Sequence, residues 1–156
     1  MKTDEQRLEP PRRRGSALCG NGNARVLIVE DSEIQRMMLA DLVRLWGYDT
    51  DTASDGLEAL EKIPVFRPRV VISDLQMPGM GGIELLKALR SRVSDVACII
   101  LSGYGSFDKT VTALGAIDYL EKPVDLERLR ADLLRLATGE GASPPGSLLH
   151  NPAQAA

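Results

Sequence analysis

A short apolar segment followed by a segment with helical spacing occurs five times in succession from Arg25 onwards. Alternation of this kind is typical of a parallel β-sheet whose strands are joined by crossover helices. The fifth helical segment shows the spacing well, with apolar residues at Leu126, Leu129, Leu133 and Leu136. The pattern predicts an α/β fold with five strands and five helices.

The composition of the apolar segments predicts the order of the strands in the sheet. Val26–Val29, Val70–Ile72 and Cys98–Leu101 are continuous apolar runs, as expected for strands buried on both faces. The second segment, Tyr48–Ala53, alternates with polar residues, and the fifth is short and contains Asp118, so both are expected at sheet edges. The order 2-1-3-4-5 satisfies these constraints and predicts a doubly wound, flavodoxin-like three-layer sandwich. This order reverses between strands one and three, where a ligand crevice is expected.

The helical segments carry apolar residues at helical spacing. On the first helix they form one stripe of Ile34, Met37, Met38, Leu42 and Leu45. The corresponding residues of the second, third and fourth helices are Leu57, Leu60 and Ile63, then Ile83, Leu86 and Leu89, then Phe107, Val111 and Leu114.

The pattern is confined to residues 25–137, which we interpret as one folded domain. Residues 1–24 mix charge with proline and Gly/Asn-rich sequence, and residues 138–156 revert to Gly, Ser and Pro, so we interpret both as flexible segments. The chain has 156 residues, of which 44% are hydrophobic, and this is enough for one domain with a core but leaves no room for a second. We therefore expect a stand-alone domain without an effector domain.

Composition also excludes several classes of function. The net charge of −3 argues against direct DNA binding, and Arg12–Arg14 is interpreted as part of a solvated arm. The longest apolar run, Val96–Leu101, is far shorter than the roughly 20 residues of a membrane helix. Cys19 lies in the Gly/Asn-rich arm and Cys98 in an apolar strand, so a disulfide is not expected. These features predict a cytoplasmic protein without a membrane association.

Acidic, hydroxyl and basic side chains follow successive strands of the predicted sheet. Glu30 and Asp31 follow the first strand, Asp74 ends the third, Ser102 ends the fourth, and Lys122 follows the fifth. Each acid alone fits an ordinary role at the start of the next helix. Together, three carboxylates at one sheet edge repel one another strongly, and a divalent cation such as Mg²⁺, or Mn²⁺, would relieve the repulsion.

Four short motifs resemble the receiver domain of two-component response regulators. They are Val29-Glu30-Asp31, Asp74-Leu75-Gln76-Met77-Pro78, Ser102-Gly103-Tyr104 and Tyr119-Leu120-Glu121-Lys122-Pro123. The resemblance covers Arg25 to about Ala137, and the motifs occur in the order and at the spacings of that family.

The resemblance implies that Asp74 accepts a phosphoryl group from a phosphohistidine on a sensor histidine kinase or a phosphotransfer protein. Glu30, Asp31, Asp74 and the backbone carbonyl of Gln76 would hold Mg²⁺, and Lys122 would neutralise the phosphoryl oxygens. Such a protein catalyses its own phosphoryl transfer and slow dephosphorylation, and it is not an enzyme in the usual sense.

The resemblance also implies a conformational switch. Ser102 would be drawn to the phosphoryl group, Tyr119 would rotate into the vacated space, and the Lys122–Pro123 peptide bond is a candidate for the cis form. A downstream protein is then expected to dock on helix four, strand five and helix five. The residues expected near this surface are Lys109, Tyr119, Glu121 and Arg128.

Some positions depart from the common pattern of the family. Glu30 replaces a frequent Asp, Ser102 replaces a frequent Thr, and Gly81-Gly82 replaces an Asp-Gly pair, which leaves the third helix without a side-chain cap. Gln76 and Tyr104 occupy positions that tune the lifetime of the phosphoryl group in this family.

Three other functions were weighed against these residues. A flavodoxin-like electron carrier is disfavoured because Glu30 and Asp31 would repel a flavin phosphate, and a phosphohydrolase because Gln76 stands where its second Asp is usual. A receiver-like interaction module that never takes phosphate remains the main alternative, because a fold does not establish an activity.

Overall fold

The computed structural model describes residues 24–92, 95–103 and 108–139. The strands are β1 (Arg25–Val29), β2 (Asp49–Ala53), β3 (Val70–Asp74), β4 (Ala97–Ser102) and β5 (Asp118–Glu121). The helices are α1 (Glu33–Leu45), α2 (Gly56–Phe66), α3 (Gly82–Arg92), α4 (Asp108–Ala113) and α5 (Leu126–Ala137). Several sequence-based expectations lie outside the described residues: those for the arm up to Asn23, including Cys19 and Arg12–Arg14, for Tyr104 and Phe107, and for the tail beyond Gly139.

All five strands are parallel, and their order is β2-β1-β3-β4-β5, so the predicted sheet order is confirmed. The central strands β1, β3 and β4 supply residues with 0–1% exposure, among them Leu27, Ile72 and Ile99. Each fully buried aliphatic side chain of this kind contributes about 1.5–3 kcal/mol to folding. Within the part of the chain that the structure describes, the polar strand β2 lies at one edge and pairs only with β1.

The helices form two layers, one on each face of the sheet. Ala40 and Val43 of α1 pack with Leu133 of α5 in a cluster on one face. Ile63 of α2, Leu86 of α3 and Val111 of α4 pack in a second cluster on the opposite face. The predicted three-layer sandwich is therefore confirmed.

The apolar stripe of α1 does not face the sheet. Ile34, Met37, Met38 and Leu45 are 73%, 56%, 69% and 83% exposed, and the buried face carries Ala40 and Val43 instead. Periodicity identified an apolar stripe, but this helix has a second apolar face that meets the core.

The other helices follow their predicted spacing, with local differences. Leu57 of α2 and Leu126 of α5 are 58% and 47% exposed, because each lies in the first turn of its helix. α4 ends at Ala113, one residue before the predicted stripe residue Leu114. Within the described ranges, none of these helices combines the length and the apolar character needed to span a bilayer.

Candidate functional site

The carboxyl ends of β1, β3, β4 and β5 bring five of the predicted site residues to one edge of the sheet. Glu30 and Asp31 lie in the turn between β1 and α1, and Asp74 and Ser102 are the last residues of β3 and β4. Lys122 follows β5 directly. In a parallel sheet all strands end on the same side, so the topology makes these side chains neighbours.

The acid cluster consists of Glu30, Asp31 and Asp74, whose nearest carboxylate oxygens all lie within 4.8 Å of one another. Two unit charges at about 4 Å repel each other by roughly 4 kcal/mol at an effective dielectric near 20. Cations that compensate the charge therefore stabilise such an arrangement. The cluster was predicted from the sequence, and the structure brings all three carboxylates together.

Lys122 provides one compensating charge. Its Nζ donates to Glu30 Oε2 at 2.9 Å, to Asp74 Oδ2 at 3.1 Å and to Gln35 Oε1 at 3.0 Å, so all three ammonium protons have acceptors. Burial alone would lower the pKa of Lys122, but the hydrogen bonds to the two carboxylates outweigh it and hold the pKa above its ordinary value. The peptide bond between Lys122 and Pro123 is cis.

Glu30 and Asp31 differ in their surroundings although they are adjacent in sequence. Glu30 is 4% exposed and Asp31 is exposed. Burial raises the pKa of Glu30, and the Lys122 ammonium and the backbone N–H of Ser32 oppose that rise. Glu30 therefore forms the inner wall of the cluster, and Asp31 forms its rim towards solvent.

Two residues in the first turn of α1, Gln35 and Arg36, belong to the site but were not predicted. Gln35 accepts one of the Lys122 hydrogen bonds, as described above, and Arg36 Nη1 donates to the backbone oxygen of Glu30 at 2.7 Å. α1 starts after Ser32, whose hydroxyl accepts from the N–H of Gln35 at 3.5 Å, so this first turn lies directly beside the acid cluster. Polar residues in the turn after an acidic strand end were the signal that could have identified them.

Gly82 has a role that differs from the one its sequence context predicted. A Cβ atom on Gly82 would overlap the backbone oxygen of Asp74 and would lie 3.0 Å from Leu75 Cα. The N–H of Gly82 also donates to the oxygen of Leu75 at 2.9 Å. Glycine at this position lets α3 begin directly against the end of β3, and so it fixes the backbone that carries Asp74.

Strand β4 holds Asp74 and Lys122 on either side of Ser102. The N–H of Leu75 donates to the oxygen of Leu101 at 2.8 Å, and the N–H of Lys122 donates to the oxygen of Ser102 at 2.7 Å. Ser102 is 1% exposed, and its position at the end of β4 lies between the strand ends that carry Asp74 and Lys122. The backbone of β4 is thus hydrogen-bonded on one side to the residue after Asp74 and on the other side to Lys122.

Tyr119 and Gln76 lie at the periphery of the site. Tyr119 is 7% exposed and packs in the apolar cluster that includes Val111 of α4. Gln76 is exposed, and its N–H lies 3.4 Å from Asp74 Oδ1. Tyr119 therefore belongs to the apolar core below the sheet edge, whereas Gln76 lies at the surface.

The side chains of the acid cluster suit a hard divalent cation. Three carboxylates and one ammonium leave two negative charges in the cluster, and all the anionic donors are oxygen atoms. Oxygen donors with room for water are the preferred environment of Mg²⁺, and Mn²⁺ accepts the same donors. The residues therefore fit the metal that the sequence predicted.

Comparisons with known proteins agree with this geometry. The profile of the response regulator receiver domain matches residues 26–134. Sporulation initiation phosphotransferase F of Bacillus subtilis is 36% identical over 110 residues, which are 69% of this chain and 89% of that protein. Response regulator MprA of Mycobacterium sp. (strain KMS) is 38% identical over 127 residues, which are 78% of this chain and 55% of MprA. The chain thus spans about half the length of MprA.

A solved structure shows the same fold. The receiver domain of the Francisella response regulator 1452 superimposes with a TM-score of 0.71 at 32% sequence identity. The match covers 75% of this chain and 98% of the Francisella domain. The described part of the chain therefore corresponds to a whole domain of that kind.

Proposed function

The chain belongs to the response regulator receiver domain family of two-component systems, and we therefore propose that it accepts a phosphoryl group on the carboxylate of Asp74. The donor is a phosphohistidine on a sensor histidine kinase or a phosphotransfer protein. The observation that carries the proposal is the contact of Lys122 with both Asp74 and Glu30 at the edge of the acid cluster. This arrangement compensates negative charge at the point where a phosphoryl group would arrive.

In the proposed transfer, a carboxylate oxygen of Asp74 attacks phosphorus, a P–O bond forms and the P–N bond to the donor histidine breaks. The electron pair of the P–N bond stays with the imidazole nitrogen. The side chain of Asp74 is 12% exposed, so a donor reaches it only from the open edge of the sheet. β3 and Gly82 hold the carboxylate there, which removes the need to order it during the reaction.

Lys122 neutralises charge as the phosphoryl group arrives. Its ammonium bonds Asp74 Oδ2 at 3.1 Å, and it exchanges this contact for a phosphoryl oxygen after transfer. The raised pKa keeps the group protonated at neutral pH. Glu30, Asp31, Asp74 and the backbone carbonyl of Gln76 would hold Mg²⁺, which would supply further neutralisation of charge on the phosphoryl oxygens.

Ser102 and Tyr119 then convert the modification into a change of shape. The Ser102 hydroxyl donates to a phosphoryl oxygen, and the movement of β4 towards Asp74 opens space for Tyr119. Two or three hydrogen bonds to a charged group, each about 1.5–3 kcal/mol, match the roughly 5.5 kcal/mol that a nearly complete population shift requires. A downstream protein docks on α4, β5 and α5, near Lys109, Tyr119, Glu121 and Arg128, when this shift has occurred.

The exposed side chains Ile34, Met37, Met38 and Leu45, which we call the α1 surface, supply the docking site for the donor. Four large apolar side chains exposed on one helix favour an interaction site there. α1 begins two residues after Asp31, and Gln35 of the same helix contacts Lys122. A protein that docks on the α1 surface therefore holds its phosphohistidine next to Asp74.

The proposal is tested by intact-mass spectrometry after incubation with acetyl phosphate and Mg²⁺. We expect one phosphoryl adduct on the wild-type protein and none on Asp74→Asn or in the presence of a chelator. Phosphoramidate serves as a second donor, because it carries a P–N bond like the natural one. If neither donor gives an adduct, the protein is a receiver-like interaction module that works without phosphate.

A further inference from the structure

Asp132, outside the proposed phosphoacceptor site, is an acid on the buried side of α5. It is 8% exposed and lies between Leu129 and Leu136, which are 0% and 1% exposed. Burial of an ionised carboxylate is costly unless the charge is fully compensated. Asp132 therefore requires either strong compensation or a proton.

The nearest polar partner of Asp132 is another acid. The carboxyl groups of Asp132 and Asp118, the first residue of β5, lie within hydrogen-bonding reach of each other. Two carboxylates at such a distance do not both ionise readily, and one of them tends to keep a proton. We call Asp118 and Asp132 the acid pair.

The surroundings of the acid pair are unequal. Arg128 donates to both oxygens of Asp118, at 3.1 Å and 2.6 Å. Arg135 donates to Oδ1 of Asp132 at 2.9 Å, whereas Oδ2 of Asp132 is buried and accepts no hydrogen bond. If Oδ2 carried a proton, this O–H would donate a hydrogen bond to Asp118. The buried oxygen would then have a hydrogen-bond partner.

The unequal surroundings assign the proton to Asp132 and the charge to Asp118. Burial alone would raise the pKa of Asp118, but its interaction with the Asp132 carboxyl and the hydrogen bonds from Arg128 and the Tyr119 N–H hold it below its usual value. Burial, and then the neighbouring Asp118 carboxylate, raises the pKa of Asp132 to about 6. The Arg69 guanidinium, which also reaches α5, instead donates to the carbonyl oxygen of Leu136 at 2.6 Å.

We propose that Asp118 and Asp132 share one proton and form a pH-dependent latch between β5 and α5. In the protonated state the acid pair is joined by a hydrogen bond across the two elements. When Asp132 ionises, the bond is replaced by repulsion between two carboxylates, and Arg128 is divided between them. The latch is closed, with this hydrogen bond formed, at acidic pH.

The latch lies where it can influence the surface beside it. Asp118 accepts from the N–H of Tyr119 at 2.7 Å, and Asp118, Tyr119 and Arg128 line an open cavity of about 540 Å³. Loss of the proton therefore loosens the wall of this cavity. The titration of the acid pair does not depend on whether Asp74 accepts phosphate, so its test is independent of the proposed function.

The direction of the pH effect follows from the raised pKa. A group whose pKa is higher in the folded state than in the unfolded state stabilises the fold at low pH, and the stabilisation is lost as the pH rises through the folded-state value. The contribution of Asp132 is thus present below its ordinary pKa and is lost as pH rises through about 6.

Asp132→Asn tests the latch because the amide keeps the shape and permanently supplies the donor. As the pH is raised from 5 to 7.5, wild type should lose stability relative to Asp132→Asn. We expect the folded-to-unfolded ratio of the variant, divided by that of wild type, to rise roughly tenfold over this range. Glu121→Gln, an exposed acid on the same strand, is the matched control and should run parallel to wild type. Parallel curves for Asp132→Asn and wild type would overturn the proposal.

A second measurement uses the unmodified protein and does not depend on the folding of a variant. The side-chain carboxyl carbons of aspartate report protonation directly in NMR titrations. We expect the Asp132 carbon to titrate near pH 6 and the Asp118 carbon below the ordinary aspartate value. Ordinary titration of both carbons would equally overturn the latch.

Discussion

Lys122 connects the charge balance of the resting site to the proposed reaction. Its three hydrogen bonds satisfy the ammonium completely and tie β5 to both β3 and the turn after β1. The sequence identified Lys122 through its place before Pro123, but it did not identify Gln35, whose only signal was a polar residue in the turn after an acidic strand end.

Replacing Lys122 with alanine should slow phosphorylation of Asp74 by about 100-fold, because one preorganised charge at the transferring group is removed. The rate is measured by intact mass against time with acetyl phosphate. Lys62→Ala is the matched control, since Lys62 is also paired with two carboxylates, Glu58 and Asp51, but lies on α2. A wild-type rate in Lys122→Ala would remove Lys122 from the reaction.

The acid pair shows what a sequence pattern can reveal about a single residue. Asp132 interrupts an otherwise apolar face formed by Leu129, Leu133 and Leu136, and a carboxylate on such a face is a visible anomaly. Its partner Asp118 cannot be identified in this way, because only the packing of α5 against β5 brings the two together.

Among the elements, α3 is closely constrained in where it begins. Gly81-Gly82 was interpreted from the sequence as the loss of a helix cap, whereas the structure gives Gly82 a steric role against the backbone of Asp74. A requirement of this kind is not encoded in local sequence, because it depends on how closely a helix approaches the strand before it.

Gly82→Ala should therefore lower the free energy of unfolding by about 1–3 kcal/mol, as expected when a methyl group is forced into a packed position. It should also slow phosphorylation, because the backbone of Asp74 must move. Urea unfolding followed through Trp46, the one tryptophan of the chain, measures the first effect.

Gly103→Ala is the control for this prediction, because an added Cβ there meets no atom of the described residues within 4 Å. The steric account of Gly82 would be wrong if the two variants were equally stable.

The first helix shows the limit of periodicity at the level of an element. The spacing of its apolar residues was identified correctly, but the buried face is set by Ala40 and Val43. In a helix with two apolar faces, tertiary packing decides which face is buried. Here the face with Ala40 and Val43 is buried, and the α1 surface is exposed beside the acid cluster.

Met38→Asp should reduce transfer from the phosphorylated donor protein by roughly 10-fold to 100-fold, as expected for loss of one buried apolar side chain at an interface. Labelling by acetyl phosphate should be unchanged, since that donor needs no docking surface. Val65→Asp on α2, at an 85% exposed position, is the matched control. Equal transfer to both variants would show that the donor docks elsewhere.

For the whole molecule, strand composition predicted which strands lie at the edges and which at the centre, and the observed order satisfies that prediction. The polar residues of β2 and the shortness of β5 placed both at edges, and the continuous apolar runs of β1, β3 and β4 placed these at the centre. The edge of the sheet that carries the acid cluster follows from that order. Side-chain contacts between elements far apart in sequence do not follow from it, and they account for what the sequence missed.

Mg²⁺ should stabilise the whole fold, because it binds the acid cluster only when β1 and β3 are in register. At a concentration of 100 times its dissociation constant, a ligand of the folded state adds about 2.7 kcal/mol to the free energy of unfolding. We expect Mg²⁺ to raise the midpoint of thermal unfolding of wild type and to raise that of Asp31→Asn much less.

Asp41→Asn is the control for the metal, because Asp41 is an exposed acid of α1 that pairs with Arg44 at 3.1 Å. Its midpoint should rise with Mg²⁺ as in wild type. Equal shifts in Asp31→Asn and Asp41→Asn would place the metal outside the acid cluster.

The most direct test of the central claim is chemical trapping of the phosphorylated residue. Borohydride reduces an aspartyl phosphate to homoserine, and peptide mass spectrometry then locates the converted position. We predict homoserine at position 74 after treatment with a phosphodonor and Mg²⁺, and an unchanged Asp74 without the donor. Conversion of Asp31 or another acid in place of Asp74, or no conversion, would contradict this prediction.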